Sequence, residues 1–159
     1  MKSRSEKKYR NRKTGKKTGG AKRKTVKHGR RIDNVVKSRI VKVFIELLNM
    51  IKLYHWKTRS FSQHKATDEL YEKMGNSTDT FVEIMMGKDE SRIKMLEKRI
   101  DLLDESNTRD FKQRIYEYRE FLTDMNMYFD QKKDTDLLNI RDEILGHINQ
   151  FLYLLTLDK

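Results

Sequence analysis

HWKTRSFSQHKATDELYEKMGNSTDTFVE, residues 55 to 83, carries two periodic patterns at once. With His64 set to zero on an α-helix turning 100° per residue, Asp68 falls near about 40°, Asp79 near about 60° and Glu83 near about 100°. Leu70, Met74, Phe81 and Met85 cluster between about 240° and 300° on the same scale. Both sets repeat at helical and not at strand spacing, which predicts a helix from about His64 to Met86 with its apolar face beside a polar stripe. That stripe holds three carboxylates and an imidazole. Carboxylates and neutral imidazole are the usual ligands of iron, manganese and zinc, so His55, His64, Asp68, Asp79 and Glu83 form a candidate metal site. The same spacing also describes a solvated polar face, and spacing alone does not choose between the two.

The flanking sequence repeats the helical pattern. Val36, Ile40, Val43 or Phe44, Leu47, Ile51 and Tyr54 predict a first helix over residues 32–58, and Ser60 to Gln63 reads as a short loop. Gly87 offers a stop after the second helix, and Asp89 and Glu90 lead into a shorter helical segment containing Ile93, Leu96, Ile100 and Leu103. Asn107 or Thr108 caps a third helix through Phe111, Ile115, Tyr118, Leu122, Met125 and Phe129. Asp134 or Thr135 caps a fourth, with Leu137, Ile140, Ile144, Ile148, Phe151 and Leu155 on its apolar stripe. Proline is absent, and after residue 31 the only glycines are Gly75, Gly87 and Gly146, so helix breakers are almost missing. The expected fold is all-α over residues 32–159: a four-helix bundle with a short extra helix inside one long crossover, the layout of ferritin-like folds. A plain four-helix bundle without a metal fits the same pattern.

Charge divides the chain into two parts. Residues 1–31 carry 15 Lys or Arg against the single acid Glu6, a net charge of +14. The chain holds 36 basic and 24 acidic residues in all, which leaves 21 and 23 for residues 32–159, a net of −2. Glycine-rich, poor in apolar residues and dense in like charge, the tail cannot bury enough surface to offset its ordering entropy, so it is expected to be disordered when free. Its natural partner is a polyanion. Lys7, Lys8, Arg10, Arg12, Lys13, Lys16, Lys17, Lys22, Arg23, Lys24, Lys27, Arg30 and Arg31 suit phosphate contacts, which give affinity for nucleic acid without sequence specificity. A nuclear-localisation signal, a contact with anionic membrane and an arm threading between subunits are the competing readings of such a tail.

Other classes of chemistry have little footing. The chain has no cysteine, which removes disulfide, thiolate-metal and cysteine-nucleophile chemistry and fits a reducing compartment. No apolar run reaches the length of a membrane span and no apolar stretch marks a signal peptide, so a protein of the cytoplasm or nucleoid, without a membrane partner, is expected. Glu143 and His147 stand four apart, whereas intrasubunit di-iron sites use Glu-x-x-His at three. No phosphate-cradling glycine loop or Ser-His-Asp constellation is present.

His55-Trp56, a short loop with Phe61, His64-Lys-Ala-Thr-Asp68-Glu-Leu-Tyr71 and Asp79-Thr-Phe-Val-Glu83 together resemble the signature of the Dps proteins, the ferritin-like DNA-binding proteins from starved cells. The resemblance implies that His55, His64 and Asp68 are ligands from one subunit and Asp79 and Glu83 ligands from its two-fold partner. Spacing agrees, because the eleven residues from Asp68 to Asp79 correspond to about 16 Å of helix axis, too far for one ion. It further implies iron as the metal, with zinc or manganese as alternatives, and a ferroxidase activity in a homodimer or higher homo-oligomer that protects or condenses DNA. The nine-residue step from His55 to His64 is shorter than that family's usual gap. The same motif with a basic tail is also similar to a group of small uncharacterised Dps-like proteins of large DNA viruses. That resemblance implies the alternative of a non-enzymatic virion protein, packaging DNA or serving as a minor capsid component among other virion proteins.

Overall fold

The computed structural model describes residues 31–105 and 107–157. Every basic-tail position named above except Arg31 lies outside them, and Arg31 is exposed. Four α-helices account for the regular structure among the described residues: α1 (Asn34–Lys57), α2 (Phe61–Gly87), α3 (Thr108–Asp124) and α4 (Thr135–Leu154), with a single 3-10 turn at Met125–Met127. No strand is present among these residues.

Local chemistry sets the helix ends. Asp33 caps α1 by accepting from the Val35 amide, and Asn107 caps α3 by accepting from the Asp110 amide. The α2 helix begins at Phe61, a turn earlier than the periodicity predicted, because Ser60 accepts from the Gln63 amide in a Ser-x-x-Gln capping arrangement. The periodicity of the third helix runs to Phe129, but α3 ends at Asp124. There the buried Arg141 of α4 donates to the Leu122 carbonyl at 2.9 Å and to Asn126 Oδ1 at 3.0 Å, tying up backbone and side-chain acceptors at the helix end.

End-to-end contacts fix the topology. His55 meets His64 across the α1–α2 turn and Lys37 meets Asp89 at the other end, so α1 and α2 are antiparallel. Tyr54 stacks on Phe111 while Arg39 donates to Tyr128, so α3 also runs against α1. Lys88 pairs with Asp134 and Asp136 while Lys73 reaches Gln150, so α4 runs against α2. The bundle is therefore up-down-down-up, and the link from α2 to α3 must return along the whole bundle. Its core is a continuous apolar cluster that includes Ile40, Phe44, Leu47, Met74, Phe81, Phe111, Ile115, Ile144, Ile148 and Phe151. Phe44–Phe81–Phe129 and Phe111–Phe151 meet edge to face within it.

The crossover departs from the sequence expectation. Between α2 and α3 no helix forms among the described residues, although Ile93, Leu96, Ile100 and Leu103 stand at helical spacing. Side chains of α1 take the backbone groups that a helix would have paired: Asn34 exchanges hydrogen bonds with the Lys94 carbonyl (2.7 Å) and amide (2.9 Å), and Ser38 Oγ accepts from the Leu96 amide at 3.0 Å. Lys42–Glu97 and Lys57–Asp104 continue the attachment toward the far end of α1. The strap starts at an ion pair sealed from water, in which Lys37 Nζ lies 2.7 Å from both Asp89 oxygens with side-chain exposures of 2% and 3%. An extended strap also covers the return distance, since the 27 residues of α2 span about 40 Å of axis.

Candidate metal centre at the α1–α2 turn

Three residues, Thr58 to Ser60, separate α1 from α2, and this tight turn sets His55 in the last turn of one helix against His64 in the first turn of the other. The turn is held from inside. Tyr54 donates to Gln63 Oε1 at 2.6 Å, Thr58 Oγ1 reaches the same oxygen at 3.0 Å, and Tyr54 also meets Thr108 Oγ1 at 2.8 Å where α3 begins. The short step between the two histidines is thus enough to stack their rings, with centroids 3.9 Å apart and planes 24° from parallel.

Each ring is tied to the other's backbone. His55 Nδ1 lies 3.0 Å from the His64 carbonyl, and His64 Nδ1 lies 3.0 Å from the His55 carbonyl. A carbonyl only accepts, so both Nδ1 atoms donate, and in the neutral tautomer with that pattern it is Nε2 that carries the lone pair. Thr67 adds a second acceptor 3.2 Å from His55 Nδ1, its own hydroxyl proton going to the Gln63 carbonyl at 2.7 Å. An imidazole whose Nδ1–H is anchored on a carbonyl and whose Nε2 is left as donor is the arrangement that metal-ligating histidines adopt.

Asp68 completes this end of the stripe. Its Oδ1 is 3.8 Å from His55 Nε2. Two donors each about 2.1 Å from one ion lie about 3 Å apart at a right angle and at most about 4.2 Å apart, so this pair has the span of two ligands of a single cation. His64 and Asp68 are exposed and His55 is buried, so the centre faces outward over a fixed base. Lys52, which sequence reasoning missed, places Nζ 3.6 Å from Asp68 Oδ1 and lies over the Tyr71 ring at 4.8 Å and the Trp56 ring at 5.9 Å. Its position three residues before His55 was the available signal, because that spacing puts both on one helix face. A cation bound at Asp68 competes with this ammonium.

Asp79 and Glu83 are not brought to this group. Both are exposed farther along α2, at about 16 Å and about 22 Å of helix axis from Asp68. Among the described residues, no three His, Asp or Glu side chains converge on one point as a metal cage would require. His147 pairs with Glu143 at 3.5 Å on α4 and stands apart from the stripe. Trp56 is 67% exposed and so is not a core residue, whereas Tyr118 is buried and Tyr153 is exposed. No described helix is long and apolar enough to cross a membrane.

Neither a curated protein nor a solved structure matches the chain. A family model does match, described as a family of unknown function (DUF5856), over residues 55–155. The match starts at His55 and takes in α2, the strap, α3 and α4, well over half of the 159 residues. The chain belongs to this family of unknown function.

Proposed function

We propose that this protein is a Dps-like nucleic-acid-binding protein whose subunits share an iron site across a two-fold contact. Bound Fe²⁺ is the substrate, oxidised there by peroxide or dioxygen, and the use of the reaction is protection or condensation of DNA. The observation that carries this reading is the His55–His64 pair, in which reciprocal Nδ1–carbonyl hydrogen bonds leave Nε2 of each ring as the remaining ligand atom, that of His55 lying 3.8 Å from Asp68 Oδ1. That arrangement is the one expected of half of a carboxylate–imidazole site. The up-down-down-up connectivity with one long crossover supports a ferritin-like bundle. In this reading His55 and His64 bind through Nε2, Asp68 balances the charge of the ion, and Asp79 and Glu83 of a second copy complete the site. The buried base at His55, Thr67 and Gln63 keeps the ligands from reorganising when the ion arrives.

The net charge of +14 over residues 1–31 supports the nucleic-acid half of the proposal, since Lys and Arg displace counterions from phosphates whatever the base sequence. The test is anaerobic calorimetric titration with Fe²⁺ and with Zn²⁺, joined to optical monitoring of iron oxidation after addition of peroxide or air. Wild-type protein should bind both ions, and Asp68→Ala and His64→Ala should each weaken binding at least tenfold. Glu83→Ala should do the same although it lies far along the helix. Wild-type protein that binds neither ion sinks the iron reading and leaves the bundle as a non-enzymatic structural protein of a nucleic-acid particle. Binding without oxidation reduces the site to a structural ion.

A further inference from the structure

Of the aromatic side chains among the described residues, three are exposed: Trp56, Phe61 and Tyr153, at 67%, 76% and 61%. All three stand at one end of the bundle, in the last turn of α1, at the first residue of α2 and in the last turn of α4. None contributes to the apolar core cluster. Exposed rings scattered singly over a surface need no explanation, but three gathered at one end do. There the start of α2 and the end of α4 also bound an open hollow of about 260 Å³, whose lining includes Ala66, Leu154, Leu155, Leu157 and Lys65.

The same end carries cations to spare. From Leu47 to Thr67 the chain has four Lys or Arg and no acid, whereas residues 32–159 as a whole carry a net charge of −2. The acids that the start of α2 and the end of the strap bring here are each met: Asp68 by Lys52, Glu69 by Lys73, Asp104 by Lys57 and Glu105 by Arg114. Arg59 and Lys65, both exposed, have no ion-pair partner among the described residues. They alternate with the rings, since Arg59 lies between Trp56 and Phe61 in the turn and Lys65 follows Phe61 by one helical turn.

We infer that this end of the bundle binds single-stranded nucleic acid, with unstacked bases on the faces of Trp56, Phe61 and Tyr153 and the phosphates between them on Arg59 and Lys65. Stacking accepts any base, because every base has a π face, but it needs bases that are not already stacked on their neighbours in a duplex. The basic tail meets phosphates and has no such requirement. The rings therefore add a preference for single strands that the tail cannot supply. An interfacial membrane contact also uses rings beside cations, but through a continuous apolar face. Here the four residues between Trp56 and Phe61, Lys-Thr-Arg-Ser, are all polar. This inference rests on the nucleic-acid half of the reading above, and ring contact is measured separately from tail contact.

Trp56 is the only tryptophan in the chain, so its emission reports this patch and not the tail. Full-length protein, kept in chelator so that no metal quenches the ring, is titrated with oligo-dT and with a duplex of the same length. Anisotropy of a dye on the nucleic acid follows binding, and tryptophan emission follows stacking. At saturation oligo-dT should quench Trp56 by about half or more, and the duplex by less than about a tenth. The double variant Phe61→Ala/Tyr153→Ala removes two exposed rings and leaves the core intact. It should lose at least about fivefold in affinity for oligo-dT while its affinity for duplex stays within about twofold. Saturated binding of oligo-dT with unchanged Trp56 emission overturns the inference and leaves the tail reading standing, and an equal loss on both nucleic acids in the variant does the same. Absence of binding to either nucleic acid overturns both. A blue shift of Trp56 emission on vesicles of phosphatidylserine and phosphatidylcholine, with no response to oligo-dT, overturns the inference in favour of a membrane surface.

Discussion

Replacing Lys37 with methionine should cost more stability than any exposed substitution in this protein. The ammonium sits 2.7 Å from both oxygens of Asp89 and also contacts Ser91 Oγ, with both charged side chains almost wholly removed from water. Methionine matches most of the aliphatic stem, so the main loss is charge. It leaves Asp89 buried with only Ser91 to satisfy it, and breaking such a pair from one side costs about 3–5 kcal/mol. A domain of this size has a total stability of about 5–15 kcal/mol, so the loss should shift the urea midpoint visibly. The double variant Lys37→Met/Asp89→Leu should recover most of it, to within about 1 kcal/mol of wild type, because a buried pair replaced from both sides is often neutral. A pH arm checks the sign. Burial alone raises the Asp89 carboxyl, but hydrogen bonds from Lys37 and Ser91 and the nearby ammonium outweigh it and hold the group below its usual range. Its contribution is then complete above the unfolded value of about 3.9 and is lost as pH falls through the lower folded value. Wild-type protein should lose this stability below about pH 4, and Lys37→Met should lack that part of the acid limb. Circular dichroism of urea unfolding at several pH values measures all of this. A cost under about 1 kcal/mol for Lys37→Met would refute the reasoning, since that is the scale of an exposed pair.

Two further expectations concern the ends of the chain's organisation. Ser60→Ala removes the side-chain acceptor for the Gln63 amide and should lower stability by about 1 kcal/mol, with weaker metal binding because His64 lies in the turn that Ser60 starts; unchanged values on both counts would show the turn to be held by Tyr54 and Gln63 alone. Deleting residues 1–31 should abolish most binding to duplex DNA without changing helical content, and intact protein should lose affinity with a log-log salt slope of about −0.9 per phosphate contacted. Equal affinity of the truncated and intact chains in a fluorescence-anisotropy titration would exclude the tail as the binding element.

Much of the architecture was legible in one dimension, because helices advertise themselves by a local period. Leu70, Met74, Phe81 and Met85 lie on the buried face of α2 where the wheel put them, and the apolar stripes of the other three helices fill the core in the same way. Asp33 and Asn107 cap their helices because capping needs only a side chain and an amide two or three residues on, whereas Asp134 stands at the α4 N-cap position without a side-chain cap and accepts from the Asp130 amide instead. The Ser60–Gln63 cap was equally local, and the loop reading passed over it. The strap was not local. Ile93, Leu96, Ile100 and Leu103 have helical spacing, but the backbone of Lys94 and Leu96 pairs with Asn34 and Ser38, some sixty residues earlier, and no window on the sequence contains both.

The candidate site divides along the same line. Residue type and four-residue steps along α2 identified His64, Asp68, Asp79 and Glu83 as one stripe, since a helix converts spacing into direction with no help from the rest of the fold. The sequence by itself thus determined four amphipathic helices, a basic tail and the chemistry on one helix face. Only the tertiary structure decided that His55 stacks on His64, that each Nδ1 is spent on the other's carbonyl, and that Lys52 occupies the Asp68 carboxylate. The Lys37–Asp89 pair that anchors the strap belongs with these. The reason is the same for each: contacts between elements are set by how whole apolar faces pack, and the neighbours they create are separated along the chain by anything from nine residues to 89.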